Sequence, residues 1–107
     1  MPDIFVVTDP RGRRIVCTQG RWHGHIILKH PFLIGWRKKL PKAIEEPDVI
    51  LKDADFVDRE VYYFLTHSLM RKKYIKVVVR FNNNDGEVVT VFFADKPKTG
   101  EILLWPK

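Results

Sequence analysis

Three patterns in the chain predict an α+β fold. A short hairpin opens it, proline-bounded stretches of helical period follow, and cleanly alternating strands around a strong turn fill the second half. At 107 residues it reads as one domain, 1–107, large enough to bury a core without disulfides.

The elements follow in order. Residues 4–8 and 13–17 are short β-prone runs, joined by Asp9-Pro10-Arg11-Gly12 with Pro and Gly where a turn needs them. Thr18 is placed to cap a helix running from about Gln19 toward His30. Trp22, Ile26 and Lys29 line one side of that helix, Ile27, Phe32 and Leu33 extend its apolar face, and Pro31 ends or bends it. Trp36, Leu40 and Ile44 at i, i+4, i+8 predict a second helix, with Arg37-Lys38-Lys39 outside and Pro41 as a restart. Residues 48–51 and 61–66 read as strands around an acidic loop. In 74–82, Ile75, Val77, Val79 and Phe81 face one way and Lys76, Val78 and Arg80 the other. Asn83-Asn84-Asp85-Gly86 turns the chain, residues 87–93 return as the hairpin partner, and residues 102–105 add an edge strand.

Charge is uneven. Residues 1–44 carry nine Lys/Arg against two Asp/Glu, residues 45–60 two against seven, and residues 61–107 eight against four. A basic N-terminal part inside a chain of net charge +6 points to an anionic partner, nucleic acid before membrane. No run of about 18 apolar residues spans a bilayer, and the first residues lack a signal-peptide pattern. The single cysteine, Cys17, forms no internal disulfide and sits where a buried strand residue is expected. A cytoplasmic setting fits these points.

Three of the four histidines fall within Arg21–Leu33, beside Trp22, Arg21 and Lys29. Histidine holds both protonation states near neutral pH, so a cluster beside cations suits proton transfer next to an anion. His25 and His30, five apart, lie roughly 140° apart on a regular helix and share a face only if its end is distorted. His23-x-His25 lacks the spacing of a zinc pair, and no HExxH occurs, so no metal or other cofactor is expected. Asp53, Asp55 and Asp58 lack the glycine and terminal glutamate of a calcium loop. No P-loop, GxGxxG or GxSxG is present.

RNA cleavage without metal fits the residue types. It needs a base for the 2′-hydroxyl, an acid for the leaving 5′-oxygen, and a cation on the phosphate oxygens. His25 and His30 supply the acid and base. Arg59, Lys29, Arg80 and Lys76 are cations of the right kind, Tyr62 and Tyr63 are donors or base-stacking rings, and Thr90 is a small hydroxyl on the outer side of a strand with Val88 and Phe92. His67 sits just past a strand, Arg71-Lys72-Lys73 after it suits a phosphate-facing turn, and Arg37, Lys38 and Lys39 add basic surface.

The ordered segments RWHGHIILKHPFL, EEPDVI, DREVYYF, YIKVVVRF, EVVTVFF and TGEILLW resemble the phage-associated members of the barnase–EndoU–colicin–RelE nuclease group. The resemblance runs from about Ile4 to Trp105. It implies helices packed on a four-stranded antiparallel sheet, RNA in the cleft between them, and cleavage leaving a 2′,3′-cyclic phosphate. It places the family's histidines on His25 and His30, its basic residue on Arg59, its strand tyrosine on Tyr62 or Tyr63, and its late hydroxyl on Thr90. Where relatives carry an acid after His-Pro, this chain has Phe32. The expectation is a toxin-like or prophage-associated endoribonuclease acting on tRNA or mRNA, with an antitoxin or immunity protein as a second partner. The alternative is a module of the same fold that binds RNA or protein without cleaving.

Overall fold

The computed structural model describes residues 3–66 and 74–106. Its strands are β1 (Asp3–Thr8), β2 (Arg14–Thr18), β3 (Val49–Lys52), β4 (Arg59–Leu65), β5 (Tyr74–Asn82), β6 (Asp85–Ala94) and β7 (Ile102–Trp105). The helical part lies between β2 and β3. It comprises α1 (Gln19–Arg21), a π-helical turn (Trp22–Ile26), α2 (Ile27–Lys29), a 3-10 helix (Pro31–Trp36) and α3 (Leu40–Glu45). Among the described residues no helix is long and apolar enough to cross a membrane.

The expected α+β class stands, but the sheet is larger than the four antiparallel strands expected. Among the described residues seven strands run in the order β1-β2-β6-β5-β4-β3-β7. The opening hairpin does not stand apart: β2 pairs in parallel with β6, Arg14–Val16 against Asp85–Glu87, so both hairpins share one mixed sheet. At the other side β3 inserts between β4 and β7. Period and turn residues reveal strands but not their non-local partners, and the parallel contact joins segments about seventy residues apart in the chain.

Local chemistry explains the helical part. Thr18 Oγ1 accepts from the Arg21 backbone N–H at 3.1 Å, the expected cap. The chain then widens, with Ile27 N–H bonding the carbonyl of Trp22, an i→i+5 closure. His30 leaves helical geometry at φ −134°, ψ 71°, because the pyrrolidine of Pro31 disfavours helical geometry in the residue before it. Pro41 sits in the first turn of α3, where a missing N–H costs nothing.

One face of the sheet is covered by these helices. Trp22, Ile26, Leu33, Leu40, Ala43 and Ile44 pack on Ile15, Cys17, Ile50, Tyr62, Ile75, Val77, Val79, Val88, Val91 and Phe93. Burying each large apolar side chain there contributes about 1.5–3 kcal/mol. This packed core fills the helix–sheet space in which the resemblance expects RNA. The opposite face carries a smaller cluster of Leu51, Val61, Tyr63 and Val78, flanked by Val49, Tyr74, Val89, Phe92 and Ala94. The expected placing of Val88 beside Thr90 is corrected here. The register shifts between Val78↔Thr90 and Val79↔Val88, so Val89 is the extra residue of a bulge. Val88 therefore faces the helices, while Val89 packs on the opposite face.

Candidate functional site

The histidines sit where the helical segment closes an open sheet edge. The pairing of β2 with β6 stops at Val16↔Glu87. Further along β6 the edge is met by aromatic rings from the 3-10 helix and the residue before it. Phe32 stacks on Phe93 with centroids 5.2 Å apart, and His30 stacks on Phe92 at 6.1 Å and meets the edge of Phe32 at 5.9 Å. His30 thus reaches a ring of the helix-free face.

His25 is partly exposed one turn earlier. Partial desolvation lowers its pKa below 6.5, and the positive charges of Lys29, Arg21 and then His30 lower it further. Lys29 and Arg21 are each four residues away and so lie on its side of the helix. The helix between the two histidines is not regular: a π turn spans Trp22–Ile26, and His30 leaves helical geometry. Neutral His25 is favoured near neutral pH and is free to accept a proton. His23 is exposed.

Around them lies a basic surface with apolar tips. Lys29, Arg37, Lys38 and Lys39 are exposed, as are Leu28, Phe32 and Ile34. Lys39 places its ammonium 5.2 Å from the Trp36 ring centroid. Cations beside solvent-facing rings suit a single strand, whose phosphates pair and whose bases stack.

The remaining candidates stand on β4, β5 and β6. Three rows of the sheet contain them: Tyr63–Lys76–Phe92, then Val61–Val78–Thr90, then Arg59–Arg80–Glu87. Arg59 is four residues from Tyr63 on one strand, about 13 Å. The structure therefore brings Tyr63 and Lys76 near His30 through Phe92, and places Arg59 and Arg80 at the far end. The Arg59 guanidinium lies 4.0 Å from the Phe56 ring centroid, and its buried Nε has no hydrogen-bond partner among the described residues. Arg80 reaches Glu87 at 3.7 Å. Next to it an open cleft of about 560 Å³ sets three carboxylates, Asp58, Asp85 and Glu87, against one guanidinium, Arg80, a net negative wall that does not suit phosphate.

Two expected phosphate donors are committed elsewhere. Tyr62 faces the helices, is fully buried, and donates to Asp9 Oδ2 at 2.6 Å. It is removed from any RNA contact. Tyr63 O–H donates to Glu101 Oε1 at 2.5 Å, and Lys76 Nζ meets Glu101 Oε2 at 2.7 Å. The Glu101 side chain is fully buried, and burial, then its hydrogen bond, pushes the Tyr63 hydroxyl well above its usual pKa.

Sequence reasoning missed Glu101, Asp9, Arg13 and Glu60. Asp9 opens a Pro-Gly turn, a position where aspartate commonly caps backbone amides, and it accepts from Arg11 N and Arg13 N at 3.0 and 2.9 Å. Glu101 carried no local signal beyond its place after the Thr99-Gly100 turn. His67 and Arg71-Lys72-Lys73 lie outside the described residues. Among the described residues no group of three or more His, Cys, Asp or Glu side chains is placed to hold a metal ion. Comparison with protein-family models, curated proteins and solved structures finds no match.

Proposed function

We propose that the protein is a metal-independent endoribonuclease, toxin-like or prophage-associated, acting in the cytoplasm. The observation that carries this reading is the exposed basic and aromatic surface of Lys29, Phe32, Arg37, Lys38 and Lys39, on the same helical segment as the partly exposed His25 and His30. Lys29, Arg37, Lys38 and Lys39 hold the RNA backbone, and Phe32 stacks a base. Neutral His25 takes the 2′-hydroxyl proton as the 2′-oxygen bonds to phosphorus. His30 gives a proton to the 5′-oxygen as its bond to phosphorus breaks. The products are a 2′,3′-cyclic phosphate and a 5′-hydroxyl. Arg59 and Thr90 extend the path across the helix-free face, and Arg80, held against Glu87 at the acidic cleft, is left out of it. tRNA or mRNA is the substrate class, and an antitoxin or immunity protein would cover the basic surface.

The test is purified protein on mixed RNA in EDTA, with product ends analysed. Cyclic phosphate ends are expected, and His25→Ala and His30→Ala should each lower the rate by about 10²–10⁴. Cleavage that survives both substitutions removes these residues from the mechanism.

A second reading, RNA or protein binding without cleavage, is favoured by one observation. Tyr63 and Lys76, two of the groups proposed to act on phosphate, are both occupied by Glu101. That reading predicts salt-sensitive binding with RNA left intact after long incubation.

A further inference from the structure

We propose that Lys76 and Tyr63 form a phosphodiester-binding subsite that Glu101 occupies in the unbound protein, so that the segment 95–101 holds the site in a self-inhibited state. The proposal rests on the endoribonuclease reading and deepens it by naming where a backbone phosphate sits beside His30.

The Glu101 carboxylate makes the contacts an anionic phosphate oxygen pair would make. One oxygen accepts from the Tyr63 hydroxyl at 2.5 Å and from the Lys98 backbone N–H at 2.9 Å, and the other meets the Lys76 ammonium at 2.7 Å. Lys76 is itself only 6% exposed, so its charge demands an anion: unpaired, it would be strongly destabilising. A phosphate that displaces Glu101 keeps that charge paired, whereas water does not.

Position points the same way. The Lys76 ammonium stands 5.5 Å from the Tyr63 ring centroid and 5.3 Å from that of Phe92, and Phe92 is also the ring on which His30 stacks. One aromatic side chain therefore separates the buried anion site from His30. The strap that delivers Glu101 is lightly held. Residues 95–100 are all exposed. Among the described residues their side-chain tie is the exposed Lys98–Asp55 pair, and Gly100 turns the chain at φ +97°. An exposed ion pair of this kind contributes little.

Binding of a short 2′-O-methyl oligoribonucleotide, which is not cleaved by 2′-hydroxyl attack, separates affinity from chemistry. Glu101→Gln should bind it about ten- to a hundredfold more tightly than the natural chain, and the gain should vanish in Glu101→Gln with Lys76→Met. Gly100→Ala supports the test from outside the buried pair. A Cβ there is strained at positive φ and lies 3.1 Å from Ala54 Cβ, so a loosened strap should also tighten binding. Amide exchange in 95–101 should speed up when the oligonucleotide binds. If the natural chain binds and neither variant binds more tightly, Glu101 is a structural staple and the proposal fails while the RNA reading stands. If neither the natural chain nor the variants bind, both fall.

Discussion

The Tyr62 hydroxyl donates to Asp9 Oδ2 at 2.6 Å, tying the centre of β4 to the turn of the first hairpin. Asp9 also takes the Arg13 guanidinium at 2.9 and 3.0 Å, and Arg13 continues to both Glu60 oxygens at 2.7 and 2.9 Å while lying 4.0 Å from the Phe81 ring centroid. Four side chains thus close one end of the helix-facing core.

Tyr62→Phe removes the hydrogen bond to the buried Asp9 carboxylate and the one the hydroxyl accepts from Arg13 at 3.2 Å, and should cost about 1–3 kcal/mol in urea unfolding. Burial of Asp9 favours its neutral form, but hydrogen bonds from Tyr62 and Arg13 outweigh it, and the pKa falls below 3.8. A carboxylate depressed on folding stabilises above its unfolded pKa and loses that contribution as pH falls through the folded value. Stability should therefore hold from about pH 5 upward and fall below about pH 4, and Asp9→Asn should flatten that acid limb.

Lys29→Met removes the charge that lowers the His25 pKa most. The pKa should rise, moving the acid limb of the cleavage profile to higher pH. NMR titration of the His25 ring gives the same readout without activity. A limb and a titration that both stay in place would show that Lys29 does not tune the base.

Replacing Arg37, Lys38 and Lys39 together with alanine should weaken RNA binding across sequences. The slope of log affinity against log salt should become shallower by roughly two, near 0.7 per lost phosphate contact on a single strand. An unchanged slope places the RNA elsewhere.

Gly86→Ala probes packing rather than the site. A Cβ there would stand 2.8 Å from Val79 Cγ1 and 2.9 Å from both Ile15 Cγ1 and Phe81 Cε1. Three side chains on the two strands that flank β6 must give way together, so unfolding should show a loss of about 1–3 kcal/mol.

Cys17 is fully buried, and burial pushes its thiol up to about 12. Without thiolate it should resist disulfide reagents in the native state and react only at the rate of unfolding. Fast labelling of the folded protein would contradict this.

Much of the chain is legible before folding is considered. The hairpin turn at Asp9–Gly12, the Thr18 cap, the break at Pro31 and the alternation of 74–82 all depend on neighbours within a few residues. Local sterics and hydrogen bonding decide them. The basic character of residues 1–44 and the grouping of His25, His30 and Lys29 are equally a matter of sequence. Tertiary structure decided the partners. It joined β2 to β6 in parallel, filled the expected cleft with core, and set Tyr62 and Tyr63 on opposite faces, one on Asp9 and the other on Glu101. These outcomes turn on which distant carboxylate reaches a buried hydroxyl or ammonium, and desolvation enforces that pairing only once the strands have come together.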